Sequence, residues 1–123
     1  MDAVFAVLQF WSWPVLAMAV SVTYYLVSRS GSVSRVRRVL VSAHGASIAA
    51  LHLGAMAVWM TGASSPRFGR PFGFALLVPL GLIAYSLFAF RGNRSIHWLQ
   101  LLNLVALFFA AFIGGMAITG EWL

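Results

Sequence analysis

Charged residues punctuate this chain instead of recurring through it. Residues 5–27, 39–60, 72–90 and 96–118 contain no Asp, Glu, Lys or Arg. These stretches run from 19 to 23 residues, and a helix needs about 20 to cross the hydrocarbon core of a bilayer. Backbone N–H and C=O groups find no water at that depth, so each stretch predicts a helix. The connections are short, which makes consecutive helices adjacent and antiparallel. The expected fold is all-α: a polytopic membrane protein forming an up-down four-transmembrane-helix bundle, with residues 1–123 as a single membrane domain.

Turn chemistry fits between the stretches. Ser28 to Ser34 is rich in Ser, Gly and Arg, and Gly62 to Pro71 carries Gly, Ser and two prolines, both loop compositions. Pro71 suits the first turn of the third helix. Arg91-Gly92-Asn93-Arg94 reads as a tight turn, with Ser95 as N-cap of the fourth helix. Pro79 removes a hydrogen bond inside the third helix, which predicts a kink between Ala75 and Pro79. Trp11, Trp13, Trp59, Trp98 and Trp122 fall near segment ends, where indole rings favour the interface.

Composition narrows the function classes. The chain is 62% hydrophobic and 8% charged, where a soluble domain carries about a quarter charged residues. Four helices and three loops use up the length, so no soluble catalytic module and no catalytic residues are expected. The net charge of +6 comes from eight arginines, with no lysine. They flank apolar segments instead of forming one soluble face, which reads as topology and lipid-headgroup contact, not nucleic-acid binding. The absence of cysteine excludes disulfides, thiolate metal sites and cysteine redox chemistry. Met1 and Asp2 lead into the first stretch without a basic residue. It therefore lacks the basic lead of a signal peptide and reads as a retained helix.

Arginine also suggests an orientation. Arg29, Arg35, Arg37, Arg38, Arg91 and Arg94 lie on one side, against Arg67 and Arg70 on the other. The positive-inside bias makes the loops at 28–38 and 91–95 cytoplasmic and both termini external. A bacterial inner membrane is the expected location.

The second helix is built almost entirely of small residues. Ala46, Ala50 and Gly54 recur every four positions, the spacing that lets two helices approach closely. Ala110 and Gly114 make a similar ridge on the fourth helix, below Asn103. Both read as packing surfaces, with the second helix central in the bundle or at an interface with another chain.

Polar groups at membrane depth are the candidates for chemistry: His44 and His52 on the second helix, and His97, Gln100 and Asn103 on the fourth. His44 lies about 7 Å inside its helix and His52 about 12 Å deeper, some 80° further round. Facing helices of a bundle can supply two axial imidazoles to a haem iron, and His44 with His97 form such a pair near the Arg-rich face. Their depths differ by about 6 Å, which requires a tilted macrocycle. In architecture and histidine count the chain resembles the four-helix anchors of quinone-linked respiratory enzymes and the small b-type cytochromes. That resemblance implies a b-type haem or a quinone, with Gln100 and Asn103 as a polar wall. The competing reading is that each histidine simply bonds a neighbouring helix, and that Gln100 and Asn103 are packing glue. Ion-coupled export is disfavoured because no carboxylate is embedded, and no metal site is expected.

Two functions are therefore carried forward. The first is a small accessory or structural subunit without catalytic activity, docking into other membrane subunits or a second copy through small-residue helix faces. The second is an electron-transfer anchor using His44 and His97.

Overall fold

The computed structural model describes residues 3–28, 34–91 and 94–122, with side chains from Phe10 onward other than Arg94. Asp2, Arg29 with most of the first turn, and Gly92-Asn93 of the tight turn lie outside the described residues. Within them the chain is helical and has no strand. It forms α1 (Ala3–Val27), α2 (Arg35–Met60), α3 (Gly69–Ala75), α4 (Leu77–Ala89) and α5 (Leu99–Thr119), with short 3-10 turns at Pro66–Phe68 and Arg94–Ile96. Four stretches are long and apolar enough to cross a membrane: Phe10–Val27, Arg35–Met60, Pro66–Ala89 and Leu99–Thr119.

Helix α2 is the hub, packing against α1, α4 and α5. Along its border with α1, Arg38 meets Tyr25, Ser42 meets Ser21 and His52 meets Phe10. Numbers fall on one helix as they rise on the other, so these two are antiparallel. Against α5 the order is the same on both, with His44 beside Asn103 and Gly114 close to Ala55. Ala17, Ile48, Ile83, Ala106, Leu107 and Ala110 form the central apolar cluster.

The helix ends depart from the sequence reading in two places. Helix α2 begins at Arg35, ahead of its charge-free stretch, because the Ser34 hydroxyl caps it by accepting from the Arg37 N–H at 3.3 Å. Long arginine side chains can extend toward water from a helix end, so Arg35, Arg37 and Arg38 are tolerated in the first turn. Ser95, expected as the N-cap of the last helix, sits instead within a 3-10 turn, and α5 opens at Leu99 without a side-chain cap. Gln100 N–H to His97 O and Leu101 N–H to Trp98 O, both at 3.0 Å, satisfy the first-turn donors by tightening it. The expected break in the third segment is present: α3 stops at Ala75, Leu76 is a turn, and α4 starts at Leu77. Pro79 has no N–H to offer the Ala75 carbonyl.

Polarity is distributed inside out. Ser86, His44, His52 and Asn103 are fully buried, whereas Phe74 is 72% and Phe108 65% exposed. Of the two small-residue ridges, Ala110 and Gly114 are inside. The α2 ridge is turned outward: Ala46 is half-buried, Ala50 and Gly54 are exposed, and nothing lies within 4 Å of a Cβ built on Gly54. The close contact inside the chain falls one position earlier, at Gly45, where a Cβ would overlap the Ala17 carbonyl. One residue is 100° of helix, enough to exchange an inner face for an outer one.

Candidate functional site

The site candidates divide into a buried network and a separate clip. The network joins α2, α4 and α5. Asn103 donates both amide hydrogens, one to His44 Nδ1 at 2.7 Å and one to Gln100 Oε1 at 2.9 Å. The Gln100 amide then donates to Ser86 Oγ at 2.6 Å, and Ser86 passes its own hydrogen to the Ile83 carbonyl at 2.8 Å. Gln100 and Asn103 are one turn apart on α5, so their side chains share a face. The structure thus brings together His44, Gln100 and Asn103, and adds Ser86, a hydroxyl in an apolar segment that sequence reading passed over.

The tautomer of His44 follows from its partners. Asn103 donates to Nδ1, and the Gly45 backbone N–H also points at Nδ1, at 2.8 Å. That nitrogen therefore carries the lone pair and the hydrogen sits on Nε2. Tyr24 packs edge-to-face on the ring with centroids 4.7 Å apart, and its hydroxyl donates to the Ile96 carbonyl at 3.2 Å. His44 Nε2 and Asn103 Oδ1 are both buried with no hydrogen-bond partner. A donor and an acceptor are left over at the centre of an otherwise paired network.

His52 is not part of this network. Its Nε2 lies 3.0 Å from the Phe10 carbonyl on α1. That carbonyl is free for a definite reason: its helical partner would be the N–H four residues on, and that residue is Pro14. His52 donates the bond that Pro14 cannot, and α1 continues unbroken past the proline. The sequence holds both halves of this clip, but neither residue alone signals it. His97 lies in the turn before α5, with its Nδ1 buried and unpartnered. Among the described residues, no group of three or more His, Cys, Asp or Glu side chains is placed to hold a metal ion.

The α1–α2 border is fastened by a second polar device. The Ser21 hydroxyl donates to the Ser42 carbonyl and accepts from the Ala46 N–H at 3.0 Å, inserting itself into the α2 ladder. Arg38 closes the end of α1, donating to the Tyr25 carbonyl at 3.0 Å and to Ser28 Oγ at 3.4 Å, with its guanidinium 4.5 Å from the Tyr25 ring centre. Cations suit helix C-termini, where carbonyls are unpaired. Trp13 stacks flat on Phe109 with centroids 3.9 Å apart.

No protein-family model, curated protein or solved structure matches this chain.

Proposed function

We propose that this chain is a small integral-membrane docking subunit, an up-down four-helix bundle without catalytic activity of its own. The observation that carries the reading is the outward face of α2. The hub helix buries His44, Gly45, Ile48, Ala49, His52 and Ala55, and its exposed side carries Ala50, Gly54 and Ala57 as a small-residue strip beside Leu53. Small residues give lipid tails little to pack against but let another helix backbone approach closely. Exposed phenylalanines and leucines on α4 and α5 suit acyl chains; this ridge suits a helix. The partner is a transmembrane helix of another subunit or of a second copy. Gly54→Leu together with Ala50→Leu is expected to leave the isolated chain folded and to remove it from its native complex on a native gel. An unchanged complex would overturn the reading.

The arginine distribution supports cytoplasmic placement of the α1–α2 and α4–α5 connections in a bacterial inner membrane. Since the chain has no cysteine, single replacements report side cleanly. Ser34→Cys is expected to be shielded from an external membrane-impermeant thiol reagent and Glu121→Cys to react; the reverse pattern would invert the topology.

A second reading is favoured by the unpartnered nitrogens of His44 and His97. In that reading the chain binds a redox cofactor near the Arg-rich end. The His44 tautomer, with hydrogen on Nε2, matches donation to a quinone oxygen, and Asn103 Oδ1 would accept from the reduced hydroxyl. Ligating haem iron through Nε2 would require that hydrogen to move to Nδ1 and the Asn103 amide to turn. A reduced-minus-oxidised spectrum of protein produced with haem supply separates these. A b-type signal lost in His44→Ala and His97→Ala would establish the haem form, and a featureless spectrum from folded protein would remove it.

A further inference from the structure

The Arg-rich end of α2 carries more positive charge than the chain can answer. Its only acids are Asp2 and Glu121, and Glu121 follows α5 at the opposite end, where Trp122 meets Trp59 of α2. The Arg35 and Arg37 side chains are exposed and make no hydrogen bond or ion pair among the described residues. Arg38 gives Nη2 to the Tyr25 carbonyl and Nε to Ser28 Oγ, and its Nη1 makes no hydrogen bond among the described residues.

Directly below these cations runs an apolar furrow. Its upper part is lined by Arg35, Val36, Val39, Leu40 and Ala43. Val39 and Ala43 also line a second depression that extends it between α1 and α2, past Val22, Tyr25 and Ala46. The ring of Tyr25 is the one covered by the Arg38 guanidinium. A cationic mouth therefore opens onto a mostly apolar depression on α2 that shares Val39 and Ala43 with a second one between α1 and α2.

We infer that this furrow is a binding site for an anionic phospholipid, with the headgroup phosphate between Arg35 and Arg38 and one acyl chain lying along Val22, Val39 and Ala43. Charge complementarity selects the occupant. Among the described residues the mouth offers the Arg35 and Arg38 cations, the depressions below are mostly apolar with Ser21 and Ser42 at the edge of the second, and an anionic lipid presents both chemistries in that order. A zwitterionic lipid brings its own ammonium to the same three-arginine end. Guanidinium groups also match phosphate oxygens in planar, forked geometry. The inference rests on reading the helices as membrane spans.

The test uses the full chain in neutral detergent, titrated with phosphatidylglycerol or with phosphatidylcholine of the same acyl chains, and counts retained lipids by native mass spectrometry. Preferential retention of one phosphatidylglycerol is expected. Arg35→Gln should weaken it about fivefold, the scale of one basic residue's attraction at an anionic surface. Arg37→Gln makes the same charge change about 200° around the helix from Arg35 and should weaken it less than twofold. Ala43→Phe, or Val39→Trp should the first variant misfold, fills the trough and should also reduce retention, while Arg70→Gln at the far end should not. Equal losses at Arg35 and Arg37, indifference to the filled trough, or equal retention of both lipids would overturn the site. A chain that stays monodisperse without detergent and retains neither lipid would instead overturn the membrane reading beneath it.

Discussion

The two glycines of α2 that lie nine residues apart should respond in opposite senses to the same added methyl group. At Gly45 a Cβ would overlap the carbonyl of Ala17, with Ser21 Oγ also too close, so α1 must move away. Backbone overlap cannot be relieved by a rotamer change, and overpacking of this kind costs roughly 1–3 kcal/mol. Moving α1 also stretches the two hydrogen bonds that Ser21 makes into the α2 ladder, worth about 0.6 kcal/mol each in a bilayer. Against this stands a helix-propensity gain of roughly 0.5–1 kcal/mol for Gly→Ala. Gly45→Ala is therefore expected to destabilise the isolated chain by about 1–4 kcal/mol. Gly54→Ala meets nothing within 4 Å, keeps only the propensity gain, and should stabilise by roughly 0.5–1 kcal/mol. The gap of about 1.5–5 kcal/mol is roughly a 10- to 4000-fold difference in unfolding equilibrium. Reversible unfolding in mixed micelles, followed by tryptophan fluorescence, reads it directly. Equal effects of the two variants, or a destabilising Gly54→Ala in the isolated chain, would refute the assignment of inner and outer faces.

The clip between His52 and Phe10 should show in a double-mutant cycle. His52→Leu is expected to cost about 0.6–1.7 kcal/mol. That cost should largely vanish in the Pro14→Ala background, where the substituted residue supplies the missing helical N–H; additive effects would sink the link. In the network, His44→Ala and Asn103→Ala should couple by about 0.6 kcal/mol, measured by the same unfolding assay. Ser86→Ala should shift Gln100 amide exchange while leaving the His52 clip unchanged; perturbation of both together would mean that they form one unit.

Much of the fold was legible because long charge-free stretches predict helices. Four charge-free stretches long enough to span gave four helical segments, and Pro79 marked the break at Leu76. Helix ends were less legible: charge marked where each apolar stretch begins, but the Ser34 cap starts α2 ahead of that point. Faces were harder still. The Ala46, Ala50, Gly54 spacing signals a smooth surface without saying whether it turns inward, and the inward glycine proved to be Gly45. Of the candidate site residues, His44, Gln100 and Asn103 converge. His52 does not, because its partner is a backbone carbonyl released by a proline 38 positions earlier. Ser86 and Ser21 were overlooked since a lone serine in an apolar run carries no signal until a neighbouring helix supplies its partner.

The most direct test of the docking face uses the absence of native cysteine. Single cysteines at Gly54, at Ala50 and at Phe108, a control on α5 that is 65% exposed, would be labelled with a benzophenone maleimide in native membranes and irradiated. A discrete protein adduct from positions 54 and 50, absent from 108, is expected of a helix partner seated on α2. Lipid adducts alone from all three positions would contradict it.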